Sequence, residues 1–242
     1  MALEPVAIAF PKIVGAEIGA TIYGTRVAGD FYDCFRVGEE RILFGLLDVA
    51  GRAETNRAIL QGTQKLFRSA GAELFSPADI NESDAMVKLC VQLNRGIMEE
   101  ASGVHSCPAF IGCYHERFGT LCYTNAGHTP GLLRDSAGIA ELGSTGLPLG
   151  LFSHATCEAP TVGIEKGAEL LLLSRGVVDG ISKDKDAQDG EFGLNRAKEF
   201  MHSAAAQSAQ LLSAAILQKV AEFAGEPAAP DDMTALALVR NG

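Results

Sequence analysis

The chain has 242 residues, 47% of them hydrophobic, and a formal net charge of −10 from 30 acidic against 20 basic residues. That length suits one large domain or two small ones, and the apolar share is enough for a sizeable core. The acidic balance argues against a nucleic-acid or anionic-membrane surface, which needs basic patches, and leaves carboxylates free to gather round a metal. The six cysteines form no CxxC pair, which reads as reduced, buried thiols rather than a zinc site or a disulfide framework. Met1 to Phe10 carries Glu4 and no basic stretch, so it does not resemble a signal peptide. No run reaches the roughly 20 apolar residues of a membrane helix, and a soluble cytoplasmic protein is expected.

Residues 17–26 alternate, with Ile18, Ala20 and Ile22 opposite Thr21 and Tyr23, as a half-buried strand does. Val27-Ala-Gly-Asp30 interrupts it. A strand resumes from Phe31 to Val37, turns at Gly38-Glu39-Glu40, and returns from Arg41 to Leu47 before Asp48-Val-Ala-Gly51. Helical spacing of Ile59, Thr63, Leu66, Phe67 and Ala70 predicts a helix stopped by Gly71. Ser76-Pro77 opens a second helical stretch, whose buried stripe is Met86, Leu89, Cys90, Leu93 and Ile97. Strands follow at Ala109–His115, Thr120–Asn125 and Gly131–Arg134, then a loop from Gly143 to Gly150 and short strands at Val162–Ile164 and Glu169–Leu173.

Lys183 to Gly190 is charged and ends in glycine. Its Asp184, Asp186 and Asp189 lack the glycine and glutamate positions of a calcium loop, so it reads as a solvated loop. Helices at Leu194–Met201 and 208–224, a loop at Gly225–Pro230 and a last strand at Ala235–Val239 complete the chain. No phosphate-binding glycine loop, internal repeat or domain linker is present. The order is strands, two helices, strands, two helices, strand. Two antiparallel sheets face to face, each covered by a helical pair, use every element in one domain over residues 1–242.

Three acidic points stand where a strand begins or ends: Asp30 after Ala28-Gly29, Asp48 before Val49-Ala50-Gly51, and Asp231 before Asp232-Met233-Thr234. Glycine beside an aspartate lets the backbone approach an ion closely, so that a carbonyl can share in binding it. Carboxylates and carbonyls without thiol or imidazole favour magnesium or manganese. Loop aspartates also cap turns, and sequence spacing alone does not bring these three together.

Val27-Ala-Gly-Asp-Phe-Tyr-Asp33 resembles the Gly-Gly-Asp-x-x-Asp opening of the metal-dependent protein phosphatases (protein phosphatase 2C), in the bacterial branch typified by stage II sporulation protein E. Leu47-Asp-Val-Ala-Gly51 resembles that branch's Gly-Asp-Val-x-Gly-His-Gly, Asn125-Ala-Gly-His128 with Pro130 its Asn-Ala-Gly-His-x-Pro turn, and Gly146-Leu-Pro-Leu-Gly150 another family turn. Phe192-Gly193 and Asp231-Asp-Met-Thr234 match its later motifs. Each is weak alone, but they stand in family order over roughly residues 12–240.

The resemblance implies an αββα sandwich with a metal site at one end. In the family, two magnesium or manganese ions bridge a hydroxide that attacks the phosphorus of phosphoserine or phosphothreonine, with no protein nucleophile. Carried over, Asp48 bridges both ions and is the residue nearest the chemistry. Val49 offers its carbonyl, Asp30 holds the second ion, Asp231 holds the first, and Asp33 lies nearby to act through water. His128 is a turn residue, not a ligand. The substrate implied is a phosphorylated bacterial signalling protein such as an anti-sigma-factor antagonist.

The pattern breaks at Ser174-Arg175-Gly176, where the family has an aspartate as the other first-ion ligand. Arginine cannot ligate a cation and stays protonated. Turned inward, Arg175 would pair with Asp48 and Asp231 in place of the first metal; turned outward, it would leave a weakened site. Arg52 replaces the usual histidine, and Pro108 removes a backbone donor before the middle strands. One bound ion or none is therefore expected. Two functions follow: a slow metal-dependent phosphatase, or a non-catalytic phosphatase fold that binds a signalling partner.

Overall fold

A computed structural model describes residues 10–23, 29–51, 57–182, 190–204, 208–224 and 232–241. Ten strands and five helices are formed among them: β1 (Ala16–Tyr23), β2 (Asp30–Val37), β3 (Arg41–Asp48), α1 (Arg57–Phe75), α2 (Glu82–Glu100), β4 (Ala109–His115), β5 (Thr120–Ala126), β6 (Gly131–Asp135), β7 (Gly138–Leu142), β8 (Thr161–Gly163), β9 (Glu169–Leu173), α3 (Arg175–Val178), α4 (Gly193–Ser203), α5 (Ala209–Ala224) and β10 (Met233–Arg240). One sheet has the order β1-β10-β9-β6-β7 and the other β2-β3-β4-β5-β8, with every pairing antiparallel.

The leucine run of β9 shows why strands here are apolar on both faces. Leu170 and Leu172 join the core between the sheets, with Phe44, Phe110, Leu236 and Leu238. Leu171 and Leu173 point the other way and pack with Leu212, Ile216 and Val220 of α5. A strand sandwiched between a sheet and a helical layer has no solvent face, so the alternation that marks half-buried strands disappears. On the far side, Phe67 of α1 and Met86, Leu89 and Leu93 of α2 cover Leu43, Leu47 and Ile111 of the second sheet. Each such fully buried side chain contributes about 1.5–3 kcal/mol. The result is the expected four-layer αββα sandwich.

Four local readings change. α1 runs through Gly71 to Phe75: a Cβ at Gly71 would lie 2.4 Å from Leu43 Cδ2, so that glycine serves close packing and not termination. α2 starts at Glu82 instead of at Ser76-Pro77, because the Asn81 side chain caps it by accepting from Asp84 N. β7, the short Gly138–Leu142 edge strand, was hidden by its partial exposure and lack of alternation. The single turn α3 begins at Arg175.

Candidate metal centre

β2 starts at Asp30 and β3 ends at Asp48, and the antiparallel register sets these two residues directly opposite one another. Side chains alternate along a strand. Asp30 therefore shares a face with Tyr32 and Cys34, and Asp48 with Phe44 and Leu46, the face turned toward the other sheet. β10 brings Thr234 to the same place, on the face of Leu236 and Leu238. Thr234 Oγ1 donates to Asp30 Oδ2 at 3.0 Å. Ser174, at the end of β9, accepts from Thr234 N at 3.0 Å and also hydrogen-bonds the Asp30 carboxyl.

Asp30 is pushed up to about 7 by burial first and by the neighbouring Asp48 carboxylate second. Hydrogen bonds from Ser174 and Thr234 pull the other way, and Asp232 adds to the rise. No basic side chain is among the described groups acting on it. Two carboxyl groups at one half-buried strand end, without a protein cation on Asp30, are the donor set that a hard divalent ion accepts.

Gly29 explains the backbone part of the site. A Cβ there would lie 1.9 Å from Val49 O, so only glycine lets the Val49 carbonyl come so close to the chain before Asp30. Val49 N in turn donates to Gly29 O at 3.2 Å. The turn is supported from behind: Asp48 N donates to Pro108 O and Ala50 N to Ser106 O, both at 2.9 Å. Pro108 thus serves as an acceptor, and its missing N–H takes nothing from the contact with Asp48. Cys107 exchanges two hydrogen bonds with Leu149, at 2.8 and 3.0 Å. Buried Asn94 of α2 holds the next residues, accepting from Gly150 N at 2.7 Å and donating to Phe152 O at 2.9 Å.

The family model of Stage II sporulation protein E (SpoIIE) matches residues 38–241. This chain belongs to the SpoIIE family. It is 26% identical over 159 residues to the phosphoserine phosphatase RsbP of Bacillus subtilis (strain 168), covering 64% of this chain and 38% of RsbP. The chain spans about two fifths of the length of the curated relatives it matches. Among solved structures, the RsbU and RsbW domains of Rv1364c from Mycobacterium tuberculosis superpose with a TM-score of 0.77 at 20% identity, over 97% of this chain and 64% of that one. The PP2C phosphatase domain of SpoIIE from Bacillus subtilis gives 0.75 at 17% identity, over 93% and 63%. At those identities the structures establish the fold, that of the protein phosphatase 2C domains.

The SpoIIE-family motifs do not all converge. Asp33 does not join the strand-end carboxylates. Three residues from Asp30, it lies on the opposite face of β2, fully buried under α1. There Arg68 Nε and Nη2 grip its two oxygens at 2.7 and 2.5 Å, and Cys34 N donates to it at 2.8 Å. A water-bridged role at the metal is ruled out by that direction. Arg175 is turned outward: its side chain is 77% exposed, and Nε donates to Asp179 Oδ2 at 2.7 Å. Asp231 and Arg52 lie outside the described residues, as do the loop aspartates 184, 186 and 189. Among the described residues, no three His, Cys, Asp or Glu side chains are grouped so as to hold a metal.

His128 belongs to a turn. Its N–H donates to Asn125 Oδ1 at 2.8 Å, while Asn125 Nδ2 donates to Thr129 O and Leu142 O, each at 3.2 Å. Burial holds the imidazole down to about 4, opposed by its contact with the Thr129 carbonyl. Ser174 and Thr234 were missed as partners of Asp30. The signal for Thr234 was present, since period two along Asp232-Met-Thr234 puts Asp232 and Thr234 on one face. Asn94 was also legible, as the polar member of a stripe that runs Cys90, Leu93, Asn94, Ile97.

Among the described residues, no helix is long and apolar enough to cross a membrane.

Proposed function

We propose that the chain is a manganese- or magnesium-dependent phosphoserine/phosphothreonine protein phosphatase with one well-formed ion position and a weakened second one. The reading is carried by the cross-strand pair Asp30–Asp48 with the Val49 carbonyl brought in by Gly29. These donors suit a hard cation, and a bound cation would favour the charged form of the raised, half-buried Asp30 carboxyl. Asp30, Asp48 and the Val49 carbonyl would hold one ion; Asp48 and Asp231 would share the other. Bound divalent ions supply Lewis acidity toward phosphate oxygens and lower the pKa of the attacking water. The chain's own share is to fix the ligands: Thr234 and Ser174 orient the Asp30 carboxyl, and the Pro108 and Ser106 carbonyls hold the turn after Asp48.

Arg175 stands where a further acidic ligand would complete the weakened position shared by Asp48 and Asp231, so turnover should be slow. The likeness to RsbP supports a phosphorylated signalling protein, such as an anti-sigma-factor antagonist, as substrate. The same arginine favours one other reading, a non-catalytic fold that binds such a partner. The test is phosphate release from a phosphoserine peptide, with manganese and with a chelator, for wild type and Asp48→Asn. Slow manganese-dependent release that disappears in Asp48→Asn supports catalysis. No release with manganese, from protein that still binds it, supports the partner-binding reading.

A further inference from the structure

Asp30 and Asp48 belong to one sheet and Thr234 to the other. An ion position between two sheets about 10 Å apart is only as well defined as the contacts that hold the sheets together at that end. In the β5–β6 connection the chain itself crosses from one sheet to the other. Gly127 of that connection is bridged to Ala109, the neighbour of Pro108, whose carbonyl accepts from Asp48 N at 2.9 Å. Two residues on, the Thr129 hydroxyl donates to Leu173 O at the end of β9.

The sequence explains why a side chain makes this contact. The β6–β9 register sets Leu132 opposite Leu171, and two further residues set Pro130 opposite Leu173. Backbone groups alternate in direction along a strand. Ser174 N turns to β10, donating to Thr234 O at 2.9 Å, so Leu173 O turns toward β6. Proline has no N–H to offer it, and the Thr129 hydroxyl takes that place. A carbonyl only accepts, so Thr129 commits its single proton to Leu173 and accepts from His128 Nδ1, 3.1 Å away. The bond to Leu173 therefore needs nothing from the imidazole.

From Leu173 the path to Asp30 is short. Ser174 exchanges two hydrogen bonds with Thr234, its N–H donating to Thr234 O and its Oγ accepting from Thr234 N at 3.0 Å. Thr234 Oγ1 donates to Asp30 Oδ2 at 3.0 Å, and Asp30 stands opposite Asp48. The contacts close a ring from Asp48 through Pro108, the β5–β6 connection, the end of β9 and Thr234 back to Asp30. We propose that Thr129 is a positioning residue for the ion site. Its hydroxyl latches the crossover between the sheets to the end of β9, and so sets where Thr234 holds Asp30 relative to Asp48. The proposal rests on the reading of that strand end as an ion site, and Thr129 acts through Leu173, not on the ion.

The test compares Thr129→Val, which keeps the shape and loses the hydroxyl, with Thr129→Ser, which keeps the hydroxyl. Calorimetric titration of the whole chain with manganese is read beside amide hydrogen exchange in chelator. Thr129→Val should weaken manganese binding by the folded protein at least about threefold, short of the roughly 10–100-fold typical when a ligand loses its own partner. Thr129→Ser should bind as wild type does. In chelator, the Ser174 and Thr234 amides should exchange faster in Thr129→Val and not in Thr129→Ser. A hydroxyl that merely stabilises the fold would lower the melting temperature and leave the affinity of the folded protein unchanged, and that result overturns the proposal. So does an equal loss of affinity in both variants, since the effect would not follow the hydroxyl. If the wild type binds no manganese, the ion-site reading falls and the exchange rates decide alone: a rise confined to Thr129→Val supports the latch, and no rise removes it. If Thr129→Val fails to fold, Thr129→Ala is read in the same way.

Discussion

Asp30 and Asp33 lie three residues apart on one strand, and the fold treats them in opposite ways. Asp33 faces α1, is wholly buried, and is held by a two-pronged Arg68 contact. Asp30 faces the gap between the sheets, where its neighbours are the acidic Asp48 and Asp232 and the hydroxyls of Ser174 and Thr234. Burying a carboxylate is costly unless a cation or a proton compensates it. Asp33 has its cation built in. Asp30 takes a proton, with its pKa near 7, or an ion from outside. A buried acid neutralised by the chain is a structural part; one left for something else to neutralise is the better candidate for a site. His128 shows a third solution, a buried base that remains uncharged.

The contrast is broken most strongly at Arg68. Arg68→Ala leaves Asp33 buried without its cation and should cost about 3–5 kcal/mol of stability in urea denaturation. Manganese affinity, measured under conditions where the variant is folded, should not change. A large loss of affinity would mean that the two faces of β2 are one electrostatic unit.

His128 gives an effect of up to about 3 kcal/mol, at 1.36 kcal/mol per pKa unit. Its folded pKa, about 4, lies below the ordinary 6.5 of an exposed histidine. Between those values the unfolded chain binds more protons, so stability is complete above about pH 6.5 and is lost as pH falls toward 4. His128→Gln should remove that part of the pH slope between pH 7 and 4 and leave manganese affinity unchanged. A slope that persists in the variant would place its origin elsewhere.

Thr234→Val sharpens the other side of the comparison. It removes the hydroxyl that orients Asp30 without touching a proposed ligand. Loss of such an outer partner typically costs about 10–100-fold in metal affinity, measurable by calorimetry with manganese. Stability in chelator should fall by no more than the about 1 kcal/mol of one hydrogen bond, since Ser174 still bonds the Asp30 carboxyl. Full affinity in the variant would contradict the placement of the ion on Asp30.

Much of this was legible in the sequence. The four-layer sandwich followed from element order; the meeting of Asp30 and Asp48 was implied only by the family resemblance, since sequence spacing alone does not bring them together. The role of Asp33 was misread because spacing was taken from a motif, while three residues along a strand reverse the face. Arg68, its partner, gives no local signal, since the ion pair closes only when α1 docks on β2. The direction of Arg175 was equally hidden. Its solvent-facing bond to Asp179 depends on Arg175 beginning a helical turn, which places a partner four residues on. Gly71 marked a helix end in the pattern but provides contact with Leu43 in the fold, a distinction set by tertiary packing.

The central claim is that the Asp30–Asp48 strand end binds a divalent cation and that Arg175 denies it a complete second position. Isothermal titration with manganese, on wild type and on Arg175→Asp, tests it directly. The account predicts one tight manganese per wild-type chain, its loss in Asp48→Asn, and a second ion in Arg175→Asp accompanied by a rise in thermal stability with manganese. No manganese binding in the wild type, or two tight ions before any substitution, would contradict it.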